Sequence, residues 1–121
     1  MENASPTLLI VEDDEDTREA VVTLLGQEGV VAASTEDAAH ALEYLREHHV
    51  AAVFLDLGLP DMDGFDLMDV LRRDPALKDV PIVIMTASMT AKIPEGVPVL
   101  VKPFDVGALV ELAREYCGRP A

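Results

Sequence analysis

The chain has 121 residues, half of them hydrophobic but only 4% aromatic, no tryptophan, and a formal net charge of −14. That length allows one domain with a workable core, and the hydrophobic share excludes a disordered polymer. The charge disfavours nucleic acid and anionic membrane as partners. Met1-Glu2-Asn3-Ala4 lacks the basic-then-apolar order of a signal peptide, and no apolar run approaches spanning length. The single cysteine, Cys117, excludes an intrachain disulfide and fits a reducing compartment, so the expected location is cytoplasmic.

Taken in order, strand-like and helix-like patterns alternate. Thr7 to Val11 is a short apolar run, read as a buried strand. Between Asp14 and Glu28, Ala20, Val21, Leu24 and Leu25 recur at helical spacing, with Gly26 and Gly29 marking the exit. Val30 to Ala33 reads as a second strand. Ser34 then opens a helix, with Asp37 three residues on in near capping-box spacing and Ala38, Ala41, Leu42 and Leu45 inward. Ala51 to Leu55 is the third strand. Gly58 to Gly64 is a loop, Phe65 to Arg73 a helix, and Asp74-Pro75 its breaker. Pro81 opens the fourth strand, Ile82 to Met85, and Val99 to Val101 is the fifth. Asp105 caps a last helix with Val106, Leu109, Val110 and Ala113 inward. Such alternation predicts βαβ units, a parallel sheet covered on both faces, and one domain filling residues 1–121 around a core of about 6–117.

Polar residues cluster where these strands end. Glu12-Asp13 follow the first strand, Asp56 the third, Thr86 the fourth and Lys102 the fifth. In an open parallel sheet these ends share one edge, the edge where ligands bind. Three carboxylates, a hydroxyl and an ammonium suit phosphoryl transfer. A carboxylate can accept the group, and the charge spread over its three oxygens needs a cation and hydrogen-bond donors. Taken singly, each residue has a plainer reading: Glu12 and Asp13 as a helix-entry cluster, Asp56 as a turn cap, Thr86 as a β-branched strand residue, Lys102 as surface. Only the joint placement reverses this. Asp61-Met62-Asp63-Gly64 resembles a calcium loop, but that spacing puts the first and twelfth ligands at Leu59 and Val70, both apolar. His40, His48 and His49 show no metal spacing with a nearby carboxylate and are expected on the surface.

Leu8-Leu9-Ile10-Val11-Glu12-Asp13-Asp14, Phe54-Leu55-Asp56-Leu57-Gly58-Leu59-Pro60-Asp61-Met62-Asp63-Gly64, Pro81-Ile82-Val83-Ile84-Met85-Thr86-Ala87 and Val101-Lys102-Pro103-Phe104 together resemble the receiver domain of two-component response regulators, of the single-domain chemotaxis type. The resemblance covers nearly the whole chain. It implies a flavodoxin-like doubly wound α/β fold, five parallel strands in the order 2-1-3-4-5. It implies Asp56 as phosphoacceptor, and Asp13, Glu12 through water, Asp56 and the Gly58 carbonyl as the Mg²⁺ site. It further implies Thr86 and Lys102 as binders of the phosphoryl group, Ala87 as the small residue beside it, and Pro103 after a cis peptide bond. The implied partners are a sensor histidine kinase or histidine phosphotransfer protein and an unknown downstream protein, the chain itself being a monomer or weak dimer with no output domain.

Two departures stand out. Sixteen positions separate Thr86 from Lys102, too few for loops plus an average helix of about 11 residues. The fourth helix, which crosses from the fourth strand to the fifth, should be shortened, irregular or missing. Val99 stands three before Lys102, where the family often has Tyr or Phe, so the usual ring movement is not open to this chain, and the kinase or phosphotransferase contact is expected on the first and last helices. Gly58 and Ser88 flank the acceptor and can tune hydrolysis. The competing functions are a non-switching receiver-fold binding module and a haloacid-dehalogenase-like phosphatase. The latter places its nucleophile after the first strand with a second Asp two residues on, whereas position 58 is Gly.

Overall fold

The computed structural model of the chain describes residues 7–87 and 92–117. The strands are β1 (Thr7–Val11), β2 (Val31–Thr35), β3 (Ala52–Asp56), β4 (Ile82–Thr86) and β5 (Val99–Val101). They form one parallel sheet in the order β2-β1-β3-β4-β5. The helices are α1 (Glu15–Gln27), α2 (Ala38–Glu47), α3 (Gly64–Arg73) and α4 (Val106–Cys117).

Successive strand residues point to opposite faces, and both faces are buried. Leu9, Val11, Val53, Leu55, Ile82 and Ile84 pack under α2 and α3. Leu8, Ile10, Ala52, Phe54, Val83 and Met85 pack under α1 and α4. Phe54 is the one aromatic ring among the fully buried side chains, so the core is aliphatic as its composition required.

Helix ends follow local chemistry. The Asp14 carboxylate accepts from Thr17 N at 2.9 Å and caps α1. Gly29, at φ 82, closes α1 with Val30 N donating to Leu25 O and Gly29 N to Gly26 O. Gly26 therefore lies inside α1 rather than at its exit. Ser34 does not open α2. It pairs with Ile10, and Thr35 with Val11, because β1 continues long enough to hold both in β2. Asp37 is the cap instead, accepting from His40 N at 2.8 Å. Asp61, from the loop after β3, accepts from Ala38 N at 2.9 Å and Ala39 N at 3.0 Å. Two carboxylates thus satisfy three N–H groups at the start of α2.

Between β4 and β5, residues 92–98 carry no helix, in line with the short spacing from Thr86 to Lys102. Residues 88–91, Ser88 among them, lie outside the described residues. Ile93 and Val97 pack beside α3 against the core in place of a helix face. Val106 departs from expectation: it is 48% exposed, and Leu109, Val110 and Ala113 alone of its group reach the core. As the first residue of α4 it sits at the rim of a cleft against α1.

The start of α3 is the tightest glycine site. A Cβ on Gly64 would lie 2.7 Å from Leu57 Cα and 3.0 Å from Asp56 O, whereas a Cβ on Gly26 would meet nothing within 4 Å. Gly64→Ala should cost about 1–3 kcal/mol in urea unfolding, because backbone must move. Gly26→Ala should gain about 0.5–1 kcal/mol from helix propensity and lost unfolded-state freedom. Equal midpoints for the two variants would contradict this packing.

Candidate functional site

Glu12 and Asp13 follow β1, Asp56 ends β3, Thr86 ends β4, and Lys102 follows β5. The order 2-1-3-4-5 makes β1 and β3 neighbours at the point where the connections reverse direction. Each of Glu12, Asp13 and Asp56 offers a carboxylate oxygen within 4.8 Å of the others. Glu12 is 1% exposed, Thr86 5% and Asp56 8%, and these three are the buried polar residues among those described. Asp13 is exposed. Hence the pocket has two inner carboxylates and one at its mouth.

Lys102 reaches in from the far side. Its Nζ donates to Glu12 Oε1 and lies 3.4 Å from Asp56 Oδ2. Asp14 N donates to Glu12 Oε2 at 3.2 Å, and Gly58 N to Asp56 Oδ1 at 3.2 Å. Gly58 also bridges to Asp63, and Gly64 N donates to Leu57 O at 3.0 Å, so the loop after Asp56 is closed on itself. Lys102 N donates to Thr86 O at 2.8 Å, tying β5's end to β4's. The peptide bond before Pro103 is cis. Ala87 is exposed and lines the cleft between α1 and α4 beside Lys102.

Burial raises the Glu12 pKa above the ordinary carboxylate value, the Lys102 bond opposes this, and the neighbouring Asp56 adds to the rise. Burial alone would lower Lys102, but its bond to Glu12 and the charges of Asp56 and Glu12 hold it above its ordinary value. Both partners shift toward holding a proton, Glu12 through burial and the neighbouring Asp56, Lys102 through the two carboxylates beside it. The pocket sets three carboxylates against one ammonium. Its donors are hard oxygens, the set that Mg²⁺ prefers.

The residues expected from the sequence are therefore brought to one edge. The expectation that His40 has no metal spacing with a nearby carboxylate needs correction. His40 is exposed as anticipated, but its Nδ1 lies 2.6 Å from Asp37 Oδ1, and Glu36, Asp37 and His40 can place ligand atoms within 4.8 Å of one another. The cause is the displaced start of α2, which sets Asp37 and His40 one turn apart. The Asp37 bond raises the His40 pKa. One feature was missed altogether. Arg18 donates to the carbonyls of Glu12 at 2.8 Å and Asp13 at 3.5 Å. An apolar cleft of 440 Å³ runs between α1 and α4, lined by Ala20, Val21, Leu24, Phe104, Val106 and Leu109. The helical spacing of Ala20 and Leu24 was a trace of the cleft; nothing local announced Arg18. Among the described residues no helix is long and apolar enough to cross a membrane.

Comparison with known proteins gives the same reading. Response regulator Rre1 of Synechocystis is 32% identical over 120 residues, covering 93% of this chain and 52% of its own length, so the chain spans about half of that relative. A putative response regulator from Chloroflexus aurantiacus superposes with a TM-score of 0.85 at 30% identity, covering 96% of this chain and all of that one. The receiver domain of sensor histidine kinase PA1611 from Pseudomonas aeruginosa, solved with a magnesium ion coordinated in its active site cleft, has a TM-score of 0.84 at 24% identity and covers 95% of this chain and 99% of that one. Residues 8–114 match the response regulator receiver domain family. A match running unbroken from β1 into α4 makes this chain a receiver domain of two-component signalling, a family of phosphoacceptor modules rather than turnover enzymes.

Proposed function

We propose that Asp56 takes a phosphoryl group from the phosphohistidine of a sensor kinase or histidine phosphotransfer protein, and that the modified domain changes its binding to a downstream protein. The observation that carries this is a buried carboxylate, 8% exposed, set among two further acids with an ammonium 3.4 Å away.

In the proposed step an Asp56 oxygen attacks phosphorus and the P–N bond to the donor imidazole breaks. The imidazole leaves with the electron pair, and an acyl phosphate remains. Lys102 is placed to neutralise a phosphoryl oxygen, and Thr86 is assigned to donate its hydroxyl to another. Gly58 N holds Asp56 Oδ1 in place. Glu12, Asp13, Asp56 and the Gly58 carbonyl would hold Mg²⁺, which would supply positive charge beyond that of Lys102. The donor is assigned to the cleft between α1 and α4. Its apolar floor opens beside Ala87 and Lys102, so a helix lying there would bring its histidine to the acceptor.

The test is intact-protein mass spectrometry after incubation with acetyl phosphate. A gain of one phosphoryl group with Mg²⁺, lost on chelation, is the expected result. No gain while Mg²⁺ still binds would favour the second reading, a non-switching binding module. Val99 and the helix-free residues 92–98 supply the support for that alternative.

A further inference from the structure

Arg18 sits one turn into α1, after the run Glu12-Asp13-Asp14-Glu15-Asp16. Five carboxylates lie within six positions, yet among the described residues none pairs with its guanidinium. Its NH1 donates instead to two backbone carbonyls, Glu12 O at 2.8 Å and Asp13 O at 3.5 Å. Those carbonyls belong to the two residues whose side chains form the acidic side of the pocket. The other ties on this segment are Glu12 N to Thr35 O at 3.1 Å, Lys102 Nζ to Glu12 Oε1, Asp14 N to Glu12 Oε2 at 3.2 Å, Arg18 N to Asp14 O at 2.9 Å and Thr17 N to Asp14 Oδ2 at 2.9 Å. None of these is made by Asp13, which is exposed.

We infer that Arg18 is a positioning residue for Mg²⁺: it fixes the Glu12–Asp13 backbone so that both carboxylates face Asp56. The inference rests on the metal-dependent reading above and adds a residue to it. Both bonds come from one nitrogen, NH1, at the end of a stem one bond longer than lysine's, so a lysine ammonium would reach the two carbonyls less well. Groups that orient ligands typically change metal affinity by about 10–100-fold when removed.

The sign of the effect separates positioning from charge. Arg18 is a cation near a cation site, so by Coulomb's law alone its removal should tighten Mg²⁺. Positioning requires the reverse. The experiment is a Mg²⁺ titration followed by amide NMR shifts of Asp13, Asp56 and Gly58, in wild type, Arg18→Met and Arg18→Lys, with melting temperatures recorded without metal. Arg18→Met, which keeps the stem and removes charge and donors, should weaken Mg²⁺ about tenfold or more. Arg18→Lys, which keeps the charge, should fall between it and wild type. Unchanged or tighter binding in Arg18→Met overturns the inference, as does a lowered melting temperature with unchanged affinity. If Arg18→Met fails to fold, a Lys variant that binds as tightly as wild type overturns it equally. Wild type that binds no Mg²⁺ would instead remove the metal from the proposed function.

Discussion

Asp56→Asn should take up no phosphoryl group from acetyl phosphate, and without Mg²⁺ it should be more stable than wild type. The first half follows from chemistry: an amide oxygen carries no charge with which to attack phosphorus. The second half follows from the charge balance. Asp56 feels one attraction, Lys102 at 3.4 Å, and two repulsions, Glu12 and Asp13, whose oxygens lie within 4.8 Å. At equal dielectric the two repulsions exceed the attraction. Asparagine keeps an acceptor for Gly58 N and removes the charge. Mass spectrometry checks the first half and urea unfolding in chelator the second. A variant less stable than wild type would mean that Lys102 outweighs the acid cluster.

Lys102→Met should lower stability at neutral pH by about 2–3 kcal/mol and slow phosphoryl uptake about a hundredfold. Removing one member of a buried ion pair typically costs about 3–5 kcal/mol, because the other charge stays buried without a partner. The smaller figure reflects Lys102 itself, whose side chain is 22% exposed, and Glu12, which can take up a proton. That escape gives the loss a pH dependence. The Glu12 pKa is already raised by burial and held down by the Lys102 bond, so the substitution raises it further. A carboxyl raised in the folded state contributes stability at low pH and loses it as pH rises through its folded value. The deficit should therefore be largest at neutrality and shrink as pH falls toward 4.5, the ordinary glutamate value. Asp14 and Asp37, lowered from 3.8 by the N–H groups and side chains they accept from, lose their stabilisation only below that window. Chemical denaturation of both proteins across this range is the measurement; a deficit that does not vary with pH would rule out Glu12 as its source.

The parts of the fold that could be read from the sequence are those whose cause is local. β1, β3 and β4 are continuous apolar runs because both their faces are buried, and their ends located the acidic residues and Thr86 to within a residue. β2 was cut short because it is an edge strand built from Val-Ala-Ala-Ser-Thr, in which small polar residues serve as well as apolar ones. Ser34 then looked like a cap, being a good one in isolation. What decided otherwise was its pairing with Ile10, a contact 24 positions away. Arg18's bonds to carbonyls and Asp61's bonds to α2 belong to the same class. A side chain that serves a distant backbone leaves no period and no motif. Val106 was misplaced for a different reason: helical spacing identifies a face but not how far that face extends beyond its cover.

Asp61 also bears on the order in which the chain assembles. The first turn of α2 takes two of its hydrogen bonds from a residue 23 positions downstream, beyond the whole of β3. Helix turns closed by their own neighbours can form early, whereas contacts across long chain separations wait for the loop between them to be ordered. The entrance to α2 is therefore finished only once β3 has joined β1 and the loop after Asp56 has folded back, so this helix should mature from its carboxyl end toward its amino end.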